Sequence, residues 1–126
     1  MDDEIDDDEV LTQFGNRLDP AEPGHPFRRK LRDSDFDGIS LLRGRLSPDE
    51  AALLVTRRPA ADGHGVRYVS AGALRAEGFH VNSTPTKRNK RHVSAIMGVG
   101  VKWTEAVGER FDSCCNGEPP VWKEET

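Results

Sequence analysis

The alternation of apolar and polar positions divides the chain into short elements separated by glycine- and proline-bearing loops. Ile39-Ser40-Leu41-Leu42-Arg43 is a compact, mostly apolar run between Gly38 and Gly44, which predicts a strand. Ser47-Pro48-Asp49-Glu50 then opens a helix: Ser47 is the cap, Pro48 takes the first helical position, and Glu50 completes a capping box ahead of Ala51-Ala52-Leu53-Leu54-Val55. Arg57 to Gly65 holds Pro59, Gly63 and Gly65 and reads as a loop. Val66-Arg67-Tyr68-Val69 alternates and is β-prone. Ser70 can cap a helix over Ala71–Glu77, which Gly78 ends in the left-handed conformation.

Phe79-His80-Val81-Asn82 and His92-Val93-Ser94-Ala95-Ile96-Met97 read as antiparallel strands, joined by a polar loop from Ser83 to Arg91 that is long for a hairpin. Trp103-Thr104-Glu105-Ala106-Val107 suggests a last helix, capped by Thr104 or cut short at Gly108. The pattern predicts an α+β domain: a small, mostly antiparallel sheet with two or three short helices. Residues 1–35 are dominated by Asp, Glu, Pro, Gly and Arg, too polar for burial to offset the entropy of ordering, and are read as an acidic, mostly disordered tail. Within that tail Val10, Leu11 and Phe14 fall at i, i+1 and i+4, on one face of a helical turn that could dock on a partner. The expected domain is residues 36–112, and residues 113–126 are an irregular C-terminal tail.

Composition sharpens this picture. A chain of 126 residues with 35% apolar and 32% charged residues fits one domain. A core drawn from about 75 residues lies near the lower limit for independent folding, so a partner or a second copy would help it. No stretch approaches the ~20 apolar residues of a membrane span, and the acidic start Met1-Asp2-Asp3-Glu4 is the reverse of a basic signal peptide. The expected location is cytoplasmic. Cys114 and Cys115 are adjacent, which strains any disulfide between them, and they lack the spacing of a zinc site; they read as free thiols of a reduced compartment.

The net charge of −4 conceals a strong asymmetry, because residues 1–10 carry seven acids and no base while Arg28-Arg29-Lys30-Leu31-Arg32 and Lys87-Arg88-Asn89-Lys90-Arg91 are basic. The second basic run lies in the long hairpin loop. Thr86, Lys87, Arg88, Asn89, Lys90 and Arg91 combine four cations with hydroxyl and amide donors, the mixture that holds phosphate oxygens. The same loop could instead be a solvated tip that keeps a sheet edge soluble, or a site for an acidic protein patch. The acidic tail is a candidate internal competitor for this loop.

Four histidines are present: His25, His64, His80 and His92. His80 and His92 flank the proposed hairpin and could face each other across it, as a general base or two metal ligands, but no third ligand stands at metal-site spacing. Asp35-Phe36-Asp37 could at most form a weak cation site. There is no nucleophile elbow, phosphate-binding GxxxxGK[ST] loop or GxGxxG turn, since Gly98-Val99-Gly100 lacks the third glycine.

Leu41-Leu42-Arg43-Gly44, Tyr68-Val69-Ser70, Asn89 and His92-Val93-Ser94-Ala95-Ile96 together are similar to a pattern in small uncharacterised bacterial proteins. In outline they also resemble compact ADP-ribosyltransferase-like toxins. That resemblance implies that Arg43 holds a phosphate, Ser70 lies near a nicotinamide ribose and Tyr68 stacks on a ring, with His92 as a further catalytic candidate. The late-strand glutamate of such transferases has no counterpart in His92–Met97. Two functional expectations result. One is a bacterial accessory or interaction protein that binds a nucleic acid or a larger acidic protein complex through the basic loop, with no cofactor. The other is a toxin- or defence-associated transferase or NAD-binding enzyme built on Arg43, Ser70 and His92.

Overall fold

A computed structural model describes residues 5–16, 38–97, 105–115 and 117–123. In chain order its elements are β1 (Val10–Asn16), β2 (Gly38–Arg43), α1 (Pro48–Thr56), β3 (His64–Ser70), α2 (Ala71–Ala76), β4 (His80–Ser83), β5 (His92–Ile96), α3 (Glu105–Cys114) and β6 (Val121–Trp122). The strands form one antiparallel sheet in the order β4-β5-β2-β1-β3-β6, so the chain is α+β as its pattern predicts.

The local signals at the first two helices work as expected. In α1, Glu50 N–H donates to Ser47 Oγ at 3.1 Å and Ser47 N–H donates back to the Glu50 carboxylate at 3.0 Å. In α2, Ala73 N–H donates to Ser70 Oγ at 3.1 Å, and Gly78 follows the helix at φ +95°. In contrast, α3 continues through Gly108 to Cys114. Phe111, 1% exposed, anchors this helix on the sheet, and that burial exceeds the roughly 1 kcal/mol that an interior glycine costs a helix. Trp103 and Thr104 lie outside the described residues.

The N-terminal reading needs the largest correction. Val10–Asn16 is neither a helical turn nor part of a disordered tail but an interior strand, paired with β3 along all of its residues and with β2 through Leu11↔Arg43 and Thr12↔Leu42. The spacing that suggested a helix face also fits a strand, since Val10 and Phe14 share one side of a pleat and Leu11 takes the other. Ile5 and Leu11 are buried in the core, so the domain begins well before residue 36. Residues 1–4 and 17–37 lie outside the described residues.

The C-terminal boundary also moves. Cys115 is buried, and Val121–Trp122 adds an edge strand to β3 in place of an irregular tail. The Trp122 ring lies so close on Gly65 that no Cβ would fit there. Both corrections have one physical origin: short strands are stabilised by partners distant in sequence, which local composition does not display.

The sheet has two different faces. On one, Leu11, Leu41, Val69 and Val93 pack against Leu74 of α2 and Phe111 of α3. Arg67, 5% exposed, ties α3 down there: its Nε donates to Gln13 Oε1 at 2.6 Å and its Nη2 to Asp112 Oδ1 at 2.9 Å. On the other face α1 covers Leu42, Val66 and Tyr68. Buried Thr12 holds the crossover into α1, donating from Oγ1 to the Gly44 carbonyl at 2.7 Å and accepting from Leu46 N–H at 3.0 Å. Cover by α1 ends along β2, where buried Leu42 is followed on the same face by exposed Ser40.

Candidate functional site

The loop between β4 and β5 is built by its own polar residues. Thr86 N–H donates to the Asn89 carbonyl at 2.9 Å, and Asn89 N–H returns a bond to Thr86 Oγ1 at 2.8 Å. Asn89 Oδ1 also accepts from Arg91 N–H at 3.1 Å. Thr86 and Asn89 therefore close a tight turn that holds Lys87 and Arg88 at its tip. Arg91 is tied to the end of β2: its backbone carbonyl accepts from Arg43 N–H at 2.8 Å, and its Nη1 donates to the Arg43 carbonyl at 3.0 Å.

Lys87, Arg88 and Lys90 are exposed, and neither they nor Arg91 form an ion pair with a described residue. Six cations elsewhere in the domain are neutralised: Arg43 pairs with Glu9, Arg45 with Glu118, Arg67 with Asp112, Arg75 with Asp7, Arg110 with Glu77 and Lys123 with Asp49. Of the other described cations, Arg57 and Arg58 follow α1 and form no ion pair with a described residue. The basic loop is thus the densest uncompensated charge among the described residues.

The acidic segment before β1 is engaged elsewhere. Asp7 and Glu9 carbonyls accept from Gly72 N–H at 2.7 Å and Ala71 N–H at 3.0 Å, covering the start of α2. Glu9 makes a two-pronged ion pair with Arg43, both bonds at 2.8 Å, and Asp7 meets Arg75 at 2.7 Å. Hydrogen bonding to Arg43 holds the Glu9 carboxyl below the usual carboxylate range, against the opposing effect of burial. The expectation that this acidic run lies on the basic loop is therefore corrected for Asp7 and Glu9; their partners are on β2 and α2.

Arg43, Ser70 and His92 do not come together. Strand alternation puts Arg43 on the α2–α3 face with Leu41, whereas His92, two residues from Ser94 and adjacent to buried Val93, points to the opposite face. The Arg43 guanidinium grips Glu9, and the Ser70 hydroxyl caps α2. Tyr68 does not offer its ring for stacking: it is 8% exposed, Arg45 lies 4.3 Å above it, and its hydroxyl donates to the Leu46 carbonyl at 2.7 Å. Desolvation raises the Tyr68 pKa above its ordinary value. His80 and His92 do not face each other either, because the register sets His80 opposite Ile96.

His92 has a role that the chain pattern did not reveal. Its Nδ1 lies 2.8 Å from Thr84 Oγ1 and 3.1 Å from the Thr84 carbonyl, while Nε2 lies 3.0 Å from Ser40 Oγ. Thr84 Oγ1 also meets Ser94 Oγ at 3.0 Å. This network joins β2, β5 and the first residue of the loop across three adjacent strands, and it fixes the base from which the cations project. A serine beside an oriented imidazole has the outline of an activated nucleophile, but the orienting groups here are a hydroxyl and a carbonyl rather than a carboxylate. The strand order that places Ser40 beside His92 was not readable in the sequence.

Among the described residues no three His, Cys, Asp or Glu side chains cluster as a metal site, and no helix is long and apolar enough to cross a membrane. Compared with family models, with curated proteins and with solved structures, the chain matches none of them.

Proposed function

We propose that this protein is a binding module for a polyanion, either a nucleic acid or an acidic protein surface, and that the Lys87–Arg91 loop is its contact site. The observation that carries this reading is the contrast in charge compensation. Among the described residues, six cations outside the loop have a carboxylate within ion-pair distance and only Arg57 and Arg58 do not, while the loop crowds four such cations into five residues. Like charges crowded at an exposed tip repel each other and contribute little to folding, so their favourable term comes from a partner that supplies negative charge.

The loop's construction supports the same reading. Thr86 and Asn89 bond to the loop backbone, and Arg91 is braced on β2, so Lys87, Arg88 and Lys90 are presented from a fixed turn rather than a slack one. Lys87 and Lys90 act as point charges, and Arg88 offers a planar fork for phosphate or carboxylate. The test is a binding titration of the full chain and its Lys87→Ala/Arg88→Ala/Lys90→Ala/Arg91→Ala variant against an oligonucleotide and an oligoglutamate. A loss of at least about tenfold for the probe that binds is expected, on the scale of a few phosphate contacts; equal affinity of the two proteins overturns the proposal.

A further inference from the structure

Among the described residues, the part of the α1 face beyond α1 continues from the basic loop without interruption by negative charge. On β4 the side chains of His80 and Asn82 are exposed on this face, because the alternate residue Val81 is buried on the other. On β5, half-buried Ser94 stands beside Asn82 and half-buried Ile96 beside His80, with half-buried His92 next to Ser94 on the same face; beyond Ser94 on β2 stands exposed Ser40. Thr84 joins this surface to the loop through its bonds to His92 and Ser94. Among the described residues, every polar side chain that these three strands turn to this face is a hydroxyl, an amide or an imidazole. The resulting track is about 15 Å along the strands and about 10 Å across them.

We infer that this track and the Lys87–Arg91 loop together bind a single-stranded nucleic acid, with the loop on phosphates and the strand side chains on sugars and base edges. The inference rests on the polyanion reading above and names its ligand class. Charge complementarity favours a phosphodiester chain at one end, and the strand surface, acid-free among the described residues, allows that chain to continue where a carboxylate would repel it. An acidic protein patch has no matching use for the neutral track, which carries no Lys or Arg among the described residues. A duplex fits less well. The major groove, about 12 Å wide, admits a helix or a two-stranded ribbon, whereas β5 is flanked on both sides by β4 and β2 and cannot enter as a ribbon. The exposed imidazole of His80 and the braced ring of His92 provide planes against which unstacked bases can lie.

The test uses the full chain with three fluorescent probes at one salt concentration: a short oligothymidylate, a duplex of equal length and an oligoglutamate. The oligothymidylate is expected to bind at least about tenfold more tightly than either of the others, within the energy range of one or two base contacts. The His80→Ala/Asn82→Ala variant, which keeps all loop cations and the Thr84–Ser94 bond beneath them, should lose about tenfold for the single strand and nothing for the duplex. Backbone amide shifts on adding oligothymidylate should appear at Ser40, His80, Asn82 and Ser94 as well as at residues 86–91. Shifts confined to the loop, or equal affinity for single strand and duplex, overturn the single-strand inference while leaving polyanion binding intact. No binding of any probe by the parent chain removes both.

Discussion

The acidic segment before β1 and the basic loop after β4 look like mirror images in the chain, each a dense block of one charge, yet the fold treats them in opposite ways. Asp7 and Glu9 are absorbed: their carbonyls cover α2, their carboxylates meet Arg75 and Arg43, and the strand that follows them is paired on both sides. The loop's cations are held out into solvent on a turn closed by Thr86 and Asn89. A charge block is therefore not a structural class in itself. Its fate depends on whether complementary groups lie within reach: the domain supplies them for Asp7 and Glu9, and among the described residues it supplies no carboxylate for the cations of the loop.

This contrast can be broken most strongly at β1. Leu11→Ala should destabilise the protein by about 3 kcal/mol, as for other fully buried leucines, measured by urea denaturation; no change would return the N-terminal segment to a tail. Arg67→Ala should have a comparable effect, about 3 kcal/mol, because it removes the buried Arg67–Asp112 ion pair and the Arg67–Gln13 hydrogen bond that tie α3 to the sheet. The loop variant lacking all four cations should stay within about 0.5 kcal/mol of the parent, the usual range for surface changes. A large loss of stability there would mean that the loop has an internal partner.

The acidic side of the comparison can be sharpened with pH. The folded Glu9 carboxyl is held below its ordinary value of 4.5 by the Arg43 hydrogen bond and by the positive charges of Arg43 and Arg75. A depressed folded value stabilises the protein fully above the unfolded value, and that contribution fades as the pH falls through the folded one. Glu9→Gln should therefore be less stable than the parent at neutral pH, with the difference shrinking in acid; a constant difference would show that the ion pair is not responsible. A smaller effect is expected at the C-terminus, where burial pushes the Cys115 thiol up to about 12 and also raises Cys114. A thiol reagent at neutral pH should modify Cys114 first and reach Cys115 only as the domain opens.

Legibility in the sequence followed the range of the interactions. The start of α1 was readable from Ser47 and Glu50, and the limits of α2 from Ser70 and Gly78, because caps and left-handed glycines act within a few residues. The hairpin of β4 and β5 was readable from alternation. β1 and β6 were not, since Val10–Asn16 and Val121–Trp122 gain their order from β3, some 50 residues away in each case. The basic loop was visible as composition, but its lack of ion pairs among the described residues was not, because that depends on where the six paired carboxylates lie. The bonds of His92 to Ser40 and Thr84 were hidden for the same reason: they cross strands whose order no local pattern specifies.

The most direct test of the central claim is the salt dependence of oligonucleotide affinity for the parent chain and for the four-fold loop variant. If Lys87, Arg88, Lys90 and Arg91 displace counterions from phosphates, the plot of log affinity against log salt should lose about 3 units of slope in the variant. An unchanged slope would contradict the account and place the binding charge elsewhere on the molecule.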